Sequence, residues 1–451
     1  MADIVGSNNV AYIVITSVIA AFIFIFIYFI NSNNNEDENS KSSDDCNQEL
    51  EKKDKGKNIK KKKNILDKHK EVKAQFTHPW LITTLKGHSG NILDMDYSSN
   101  GKYLISCDEE RTVMLWNTKT LSQKNNVKNQ KDIKSVRINI EYDHATQVKW
   151  SPDGKAFIIC QANGNAIQVY RLSKRDDGML GNAEPIIIFP KKHKLDIINI
   201  GIACTGQYIM SCSKDTTIII WDLKGEILAT IDTLHINNYY ACVSYCGRFV
   251  ASSGFTPDVK VWDVCFNKSG EFQEVRRAFE LKGHSSGVYC FSFSNDSTRM
   301  ASVSKDGTWK IWDTNIEYQK GQEPYLLKTG NFNHRGPCLV ALSPDGRTVA
   351  LAMLSTVMIY SGVTGEKQSL LENIHEEPIA ALHFSSDNQY LSAAAGKHIR
   401  IFYNVLGYKN AIEDLEIKKI SATGQAIRER LQTQIDEAKK NLESVEGLLK
   451  R

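Results

Sequence analysis

The sequence lacks most features of metal sites, disulfide scaffolds and dedicated nucleic-acid binders. Its ten cysteines form no Cys-x-x-Cys motif and no cluster with histidine at metal-ligand spacing. Its 56 basic and 52 acidic residues leave a formal net charge of only +4 over 451 residues. That balance is too mild to indicate a chain devoted to nucleic acid, and we predict no cofactor and no metal site.

A repeated spacing of histidine and aromatic residues is present instead. Seven of the eleven histidines are each followed, 26 to 28 residues later, by an aromatic residue, while the step between pairs varies from about 40 to 55 residues. A constant interior with variable connections indicates a structural repeat whose insertions lie in loops. The pairs are His88 with Trp116, His144 with Tyr170, His193 with Trp221, His235 with Trp262, His284 with Trp312, His334 with Tyr360 and His375 with Phe402.

Each repeat predicts three short strands after its histidine and a fourth strand before the next one. Gly, Asn and Asp recur at the hairpin positions, where they tolerate positive φ. Residues 80–85 form such a strand before the first histidine although no earlier repeat exists, and the last repeat has only three strands of its own. We therefore predict an all-β ring of seven four-stranded blades over residues 78–404. In that ring, residues 80–85 complete the last blade and remove the exposed sheet edge.

Gly-His and Trp-Asp dipeptides in several repeats, such as Gly283-His284 and Trp312-Asp313, resemble those of the WD40 family of β-propellers. The resemblance implies that a buried His, Ser, acid and Trp are hydrogen-bonded within a blade. In the fourth blade an insertion shifts the acid to Asp258, and the second, sixth and seventh blades lack a matching acid. The implied networks are His284, Ser302, Asp306 and Trp312 in blade 5; His193, Ser211, Asp215 and Trp221 in blade 3; and His88, Ser106, Glu110 and Trp116 in blade 1.

These histidines and acids favour a structural role over a catalytic one. They recur once per blade around a ring and do not converge on one site. Buried polar groups hydrogen-bonded in this way each contribute about 1 kcal/mol to stability. We therefore expect a protein that is not an enzyme and that binds other proteins, although the sequence does not identify the binding surface.

Residues 10–30 form one uninterrupted run without a charge. As a helix this run is about 31 Å long, which matches the hydrocarbon core of a bilayer. We predict a short N-terminal segment over residues 1–9, a single transmembrane anchor over residues 10–30 and a disordered charged linker over residues 31–77. A cleaved signal peptide is the alternative interpretation, but it needs a basic start, a shorter apolar core and small residues at a cleavage site.

The linker changes charge along its length. Residues 31–50 contain six acids and one lysine, whereas residues 51–73 contain eleven lysines and four acids. Positive charge favours the cytoplasmic side of a membrane, so we predict a cytosolic propeller. The cluster of Lys60, Lys61, Lys62 and Lys63 is a candidate contact for anionic lipid or RNA, with a solvated spacer as the alternative.

Helix-forming residues dominate residues 405–451, which we predict to be a helical tail. Within residues 426–450, apolar residues recur at steps of three and four, which is typical of an amphipathic helix. We predict a preceding short helix over residues 411–419, separated from the second by residues 421–424. Docking on the propeller, docking on a partner and dimerisation all remain open for this tail.

The nine residues 254–262, GFTPDVKVW, resemble one membrane-anchored branch of the WD40 family, as does the order of anchor, lysine-rich linker, propeller and helical tail. That resemblance implies a non-enzymatic scaffold of the endoplasmic reticulum membrane in the unfolded-protein response, with the stress-sensing kinase and the translation machinery as partners. The alternative hypothesis is an RNA- or ribosome-associated factor tethered through the lysine-rich linker.

Overall fold

The structure is a computed structural model that describes residues 76–121, 134–174, 180–333, 336–422 and 424–446. Within those residues, 28 strands form seven four-stranded antiparallel sheets, and two α-helices follow them. The predicted all-β ring of seven blades followed by a helical tail is therefore confirmed for this part of the chain.

Blades 1 to 3 each contain four consecutive strands, ordered from the innermost strand to the outermost. Blade 1 contains β2 (Ile92–Tyr97), β3 (Tyr103–Asp108), β4 (Thr112–Asn117) and β5 (Ser135–Asn139). Blade 2 contains β6 (Ala145–Trp150), β7 (Ala156–Gln161), β8 (Ile167–Lys174) and β9 (Leu180–Ile188). Blade 3 contains β10 (Ile197–Ile202), β11 (Ile209–Ser213), β12 (Thr217–Trp221) and β13 (Ile227–Asp232).

Blades 4 to 6 repeat the same order. Blade 4 contains β14 (Asn238–Val243), β15 (Phe249–Gly254), β16 (Val259–Phe266) and β17 (Phe272–Leu281). Blade 5 contains β18 (Val288–Phe293), β19 (Arg299–Ser304), β20 (Thr308–Asp313) and β21 (Tyr325–Asn331). Blade 6 contains β22 (Cys338–Leu342), β23 (Thr348–Met353), β24 (Thr356–Ser361) and β25 (Lys367–Leu371).

Blade 7 closes the ring by combining two distant parts of the chain. Its inner strands are β26 (Ala381–Phe384), β27 (Tyr390–Ala395) and β28 (His398–Tyr403), and its outermost strand is β1 (Leu81–Lys86). Leu85 pairs with Ile399 and Leu81 with Phe402. The innermost strands of neighbouring blades contact one another around the whole ring, including β2 with β26. The predicted closure by residues 80–85 is therefore confirmed.

The first hairpin of every blade turns through a residue with positive φ. Five of the seven positions are glycine, and the others are Ser297 and Asn388, with φ of 57° and 61°. Gly, Asn and, less readily, Ser suit these positions because large or branched side chains are strained there. This chemistry explains why the sequence indicates the turns. The glycines are Gly101, Gly154, Gly206, Gly247 and Gly346.

The antiparallel order divides the loops between two faces of the ring. The upper face, as we name it, carries the loops that join consecutive blades and the loops between the second and third strands of each blade. The lower face carries the loops between the first and second strands and those between the third and fourth. Phe76, which the sequence prediction places in the linker, packs against Phe402 just before β1.

The tail contains two helices, α1 (Val405–Ser421) and α2 (Gln425–Glu446). Helix α1 begins six residues earlier than predicted, directly after β28, with Asn404 as its N-cap. Tyr408 and Ile412 are buried, and Arg347 on the lower face pairs with Glu413 and Asp414 at 2.6 Å and 2.7 Å. The first helix therefore docks on the lower face of the propeller, and α2 packs on α1.

Candidate functional site

The hydrogen-bond network of blade 5 joins the four residues that the sequence suggested. His284 Nε2 lies 2.8 Å from Ser302 Oγ, and His284 Nδ1 lies 3.0 Å from Asp306 Oδ2. Trp312 Nε1 donates to the same Ser302 oxygen at 2.9 Å. Since Ser302 Oγ accepts from the tryptophan, its own proton goes to His284 Nε2, and His284 Nδ1–H donates to Asp306. One neutral histidine tautomer therefore satisfies every group.

The titration of this network agrees with a structural role. Burial lowers the pKa of His284, so the ring stays neutral near pH 7. Burial alone would raise the pKa of Asp306, but hydrogen bonds from Thr308 and from the backbone of Ser285 outweigh it and lower that pKa. A neutral histidine beside an ionised, fully hydrogen-bonded carboxylate has no free proton acceptor for catalysis.

Blade 3 repeats this arrangement with its own residues. His193 contacts Ser211 at 2.8 Å and Asp215 at 3.2 Å, and Trp221 Nε1 donates to Ser211 Oγ at 2.8 Å. The second predicted network is thus assembled from strands β11 and β12 and the loop before β10. As in blade 5, each of these side chains is directed at a partner inside its own blade.

Blade 1 uses a different acid from the one predicted. His88 contacts Ser106 at 2.6 Å, and Trp116 Nε1 donates to Ser106 Oγ at 2.9 Å. The carboxylate on His88 Nδ1 belongs to Asp108, at 2.8 Å, so the prediction of Glu110 is wrong. Asp108 lies two residues after Ser106 in β3 and therefore shares its side of the sheet. Glu110 lies in the exposed turn, and its backbone N–H donates to Asp108.

The remaining described histidines make simpler contacts. In blade 4, Thr256 takes the position next to His235 Nδ1, so the prediction of Asp258 is wrong; the insertion at 255–257 brings the hydroxyl there instead. In blade 7, His375 Nε2 donates to the carbonyl of Ala393 at 3.0 Å. His144 of blade 2 is only partly buried, and His334 of blade 6 lies outside the described residues.

Trp309 and Trp312 lie on opposite sides of blade 5 and do not form a ligand cage. Trp312 packs in the layer between blades 4 and 5, whereas Trp309 packs in the layer between blades 5 and 6. The Trp309 ring centroid lies 4.9 Å from that of Tyr360. Both indoles are therefore part of the core, and they face opposite sides because residues three positions apart in a strand do so.

Bulky apolar side chains are exposed on the upper face of blades 3 and 4. Leu195, Leu234 and Ile236 come from the loops that lead into these blades, and Phe255 comes from the loop between β15 and β16. We name these four residues the apolar crest. Each is more than half exposed, so their apolar surface is available to another molecule.

Hydrogen bonds hold the crest loops in place. Ser213 Oγ donates to the Leu195 carbonyl at 2.9 Å, and the Phe255 N–H donates to the Asn237 carbonyl at 3.0 Å. Leu234 has a left-handed backbone with φ of 53°. For a residue with a bulky side chain this conformation costs about 1–2 kcal/mol. The fold thus holds an apolar side chain outwards at a position where Gly or Asn costs less.

Lysines surround the crest on blade 3. Lys191, Lys192 and Lys194 are exposed in the loop that contains Leu195, and Lys214 follows β11. Lys214 is paired with Asp196 at 3.0 Å. The other three have no ion pair within the described chain, so the blade 3 side of the crest carries positive charge that suits an acidic partner.

A groove on the lower face between blades 3 and 4 is occupied by its own ion pairs. It has a volume of about 380 Å³ and is lined in part by Arg248, Asp263 and Arg276. Asp263 is buried and accepts hydrogen bonds from both arginines at 2.9 Å and from Tyr318. Burial raises the pKa of Asp263, but the hydrogen bonds from Arg248, Tyr318 and Arg276 lower it to about 2. Both arginines pair with Asp263, so these ion pairs hold neighbouring strands of blade 4 together. The groove is therefore not an anion site.

Several predicted features lie outside the described residues. They are the anchor at residues 10–30, the linker up to residue 75, the cluster of Lys60, Lys61, Lys62 and Lys63, and the end of the tail after residue 446. Among the residues that are described, no helix is long and apolar enough to span a membrane. In the same part of the chain, no three His, Cys, Asp or Glu side chains are grouped as metal ligands.

Comparison with known proteins identifies the repeats. The family model described as "WD domain, G-beta repeat" matches residues 79–117, 184–222 and 276–313. Transducin beta-like protein 2 of Mus musculus is 48% identical over 408 residues, which cover 90% of this chain and 90% of that protein. The human protein of the same name is 49% identical over 403 residues, which cover 88% of each chain.

The chain belongs to the transducin beta-like protein 2 family of WD40 proteins.

A more distant relative is also similar to this chain. The guanine nucleotide-binding protein subunit beta of Oryza sativa subsp. indica is 23% identical over 353 residues, which cover 71% of this chain and 82% of that protein. The narrower resemblance that residues 254–262 indicate, to transducin beta-like protein 2, is confirmed.

The WD40 matches coincide with the complete networks. The three matched segments end at Trp116-Asn117, Trp221-Asp222 and Trp312-Asp313, in blades 1, 3 and 5. These are the blades in which His, Ser, acid and Trp are all joined. Propellers of the WD40 family generally act as non-enzymatic scaffolds that bind protein partners.

Proposed function

We propose that this protein is a scaffold anchored in the endoplasmic reticulum membrane by residues 10–30, which binds other proteins through the apolar crest. The observation that carries the proposal is the crest itself. Four bulky apolar side chains are held outwards on one face, and one of them has a left-handed backbone. Exposed apolar clusters of this kind are typical of protein interaction sites.

The positions of the chain segments on the two faces also favour the apolar crest as the binding surface. The segment before β1 and the helix after β28 both begin on the lower face, where α1 covers part of blade 6. Within the described residues, neither helix covers the upper face. A partner that contacts the crest would therefore meet no competing segment from α1 or α2.

We propose that the partners belong to the unfolded-protein response, with the stress-sensing kinase of the endoplasmic reticulum and the translation machinery as candidates. The family resemblance supports this part of the proposal. It requires a cytosolic propeller, which the lysine excess of residues 51–73 favours.

Two measurements test the proposal together. Protease digestion of intact microsomes is expected to remove the propeller without detergent. Purified cytosolic domain of the stress-sensing kinase is then expected to bind the wild-type protein and to bind a Leu195→Ser/Ile236→Ser variant at least about tenfold more weakly. Leu223→Ser is the matched control, because Leu223 is 53% exposed on the lower face of blade 3 and Leu195 is 54% exposed on its upper face. Equal binding by the crest variant and the control would exclude the crest.

A second candidate function depends on the lysine-rich segment of the sequence. Residues 51–73 carry a net charge of +7, which suits RNA or a ribosomal surface. If this function is correct, RNA crosslinks map to that segment and weaken with salt. Replacement of Lys60, Lys61, Lys62 and Lys63 by glutamine with unchanged RNA recovery would contradict it.

A further inference from the structure

The tip of the helical tail exposes three isoleucines. Ile417 and Ile420 lie in the last turns of α1, and Ile427 lies in the first turn of α2, with exposed fractions of 63%, 82% and 55%. We name residues 417–422 and 424–430 the hairpin tip. The first turns of α1 differ, since Tyr408 and Ile412 are buried there. Among the described residues of the tail, the exposed isoleucines therefore lie at the turn between the two helices, away from the docked start of α1.

Basic residues accompany these isoleucines. Residues 417–430 contain Lys418, Lys419, Arg428 and Arg430 but a single acid, Glu429. Lys419 Nζ donates to Gln432, and Arg428 Nε donates to the Ala422 carbonyl at 2.8 Å. Both contacts are with neutral groups, so they fix the side chains and leave their positive charge uncompensated.

The hairpin tip is held on a rigid support. Arg347 fastens α1 to blade 6 through Glu413 and Asp414. Between the two helices, Lys439 pairs with Glu416 at 2.8 Å, and the Ile435 side chain is buried. A surface fixed in this way binds without first ordering a loop, so less binding energy is lost to conformational entropy.

We propose that the hairpin tip is a membrane-contact site for an anionic bilayer surface. Isoleucine side chains at the end of a helical hairpin can enter the boundary between head groups and acyl chains, while the surrounding lysine and arginine side chains meet lipid phosphates. The combination of exposed aliphatic side chains and net positive charge favours an anionic lipid surface over an acidic protein, because it provides for both the acyl chains and the phosphates of such a surface. The charge also makes the contact sensitive to salt.

The site lies on the same face of the ring as the first described residues. The hairpin docks on the lower face, and Phe76 lies on this face just before β1. Contact of the hairpin tip with a bilayer would direct the upper face and its apolar crest away from that bilayer. The inference stands on the tail residues alone and does not need residues 10–30 to span a membrane.

Vesicle binding by residues 76–451 tests the proposal. This fragment contains all four strands of each blade and both helices, so it includes the complete described fold, and it lacks the predicted anchor. The probes are phosphatidylcholine vesicles with and without roughly one third phosphatidylserine. We expect binding to the anionic vesicles to be at least about tenfold tighter and to weaken in high salt.

Two variants test whether the isoleucines make the membrane contact. Ile417→Ser/Ile420→Ser/Ile427→Ser is expected to weaken vesicle binding by about tenfold or more, whereas Leu195→Ser/Leu234→Ser/Ile236→Ser, with three changes on the crest, is expected to bind as the wild type. Equal vesicle binding by the isoleucine variant and the wild type would overturn the proposal, as would a wild-type fragment that does not bind anionic vesicles. If the wild-type fragment forms a dimer, the isoleucine variant is monomeric and neither binds vesicles, the surface is a contact between two copies of the chain instead. Failure here leaves the crest and the anchor untouched, because neither is needed for this result.

Discussion

At the scale of single residues, the hydrogen-bond partner of the blade histidine keeps its position along the chain, although the partner group itself changes. His88, His193 and His284 each meet a serine hydroxyl 18 residues later, whereas His375 meets the backbone carbonyl of Ala393 at the same separation. A backbone carbonyl accepts a hydrogen bond whatever side chain follows it, so the loss of the serine does not leave the histidine unpaired. Burial keeps the rings of His193, His284 and His375 neutral, which links their titration to folding.

Protonation of buried histidines is expected to destabilise the propeller in mild acid. Burial lowers the pKa of His235 and of His375 from 6.5 to about 4. The unfolded state therefore binds more protons between pH 4 and 6.5, and the free energy of unfolding falls as the pH falls through that window, by about 2 kcal/mol per histidine at pH 5. Asp96 opposes this by about 1 kcal/mol, because burial raises its pKa to about 6.

Chemical denaturation at pH 7 and pH 5 measures this dependence. His375→Gln is expected to lower stability at pH 7 yet to lose about 2 kcal/mol less on acidification than the wild type. The same loss in both proteins would show that His375 does not titrate in this window.

At the scale of elements, the sequence indicates strands better than it indicates where the tail begins. Alternating apolar residues and left-handed turn positions are local signals, so the strands and turns are predictable from short windows. The sequence predicts a start for α1 at Ala411, and Gly407, a poor helix former, lies between that position and the actual start at Val405. A Cβ at position 407 would lie 2.8 Å from the Asn388 carbonyl, so the glycine permits the helix to approach blade 7. The N-cap hydrogen bond from Gly407 N–H to Asn404 and this tertiary contact together account for the early start.

The Arg347 ion pairs are expected to hold α1 on the propeller. Arg347→Ala removes its contacts with Glu413 and Asp414, both of which are substantially exposed, so the loss is about 1 kcal/mol. Amide hydrogen exchange in residues 405–421 is expected to quicken about fivefold, while exchange in the blades does not change. Lys320→Ala is the control, because it removes an exposed pair with Glu317 on a different blade. Equal protection of α1 in wild type and Arg347→Ala would show that apolar burial alone fixes the helix.

At the scale of the whole molecule, closure of the ring depends on one strand. Strand β1 supplies the fourth strand of blade 7, and its pairing with β28 joins the beginning of the propeller to its end. The closure is predictable because an additional strand precedes the first repeat and one strand is missing from the last. The sequence does not predict that Asp108, and not Glu110, is the partner of His88. Both carboxylates lie near the same turn, and only the folded strand determines which side chain points towards the histidine.

Removal of β1 is expected to open the ring. A fragment of residues 87–451 leaves the β28 edge unpaired, so we expect loss of cooperative unfolding and association between copies. A fragment of residues 76–404 keeps all seven sheets and is expected to remain monomeric, with a lower melting temperature because the buried face of α1 is lost. Light scattering and thermal melts distinguish the two, and a monomeric, cooperative 87–451 fragment would show that β1 is dispensable.

The pairing of β1 with β28 also determines the order in which the protein can fold during its synthesis. Leu81 and its partner Phe402 are separated by 321 residues. At about 5–20 residues per second, the first strand emerges roughly 16–64 s before the strand that receives it. During that interval blades 1 to 6 can form one after another, while the backbone hydrogen-bonding groups on both edges of β1 have no partner strand. A nascent chain of this design therefore needs protection of its earliest strand for as long as the rest takes to be made.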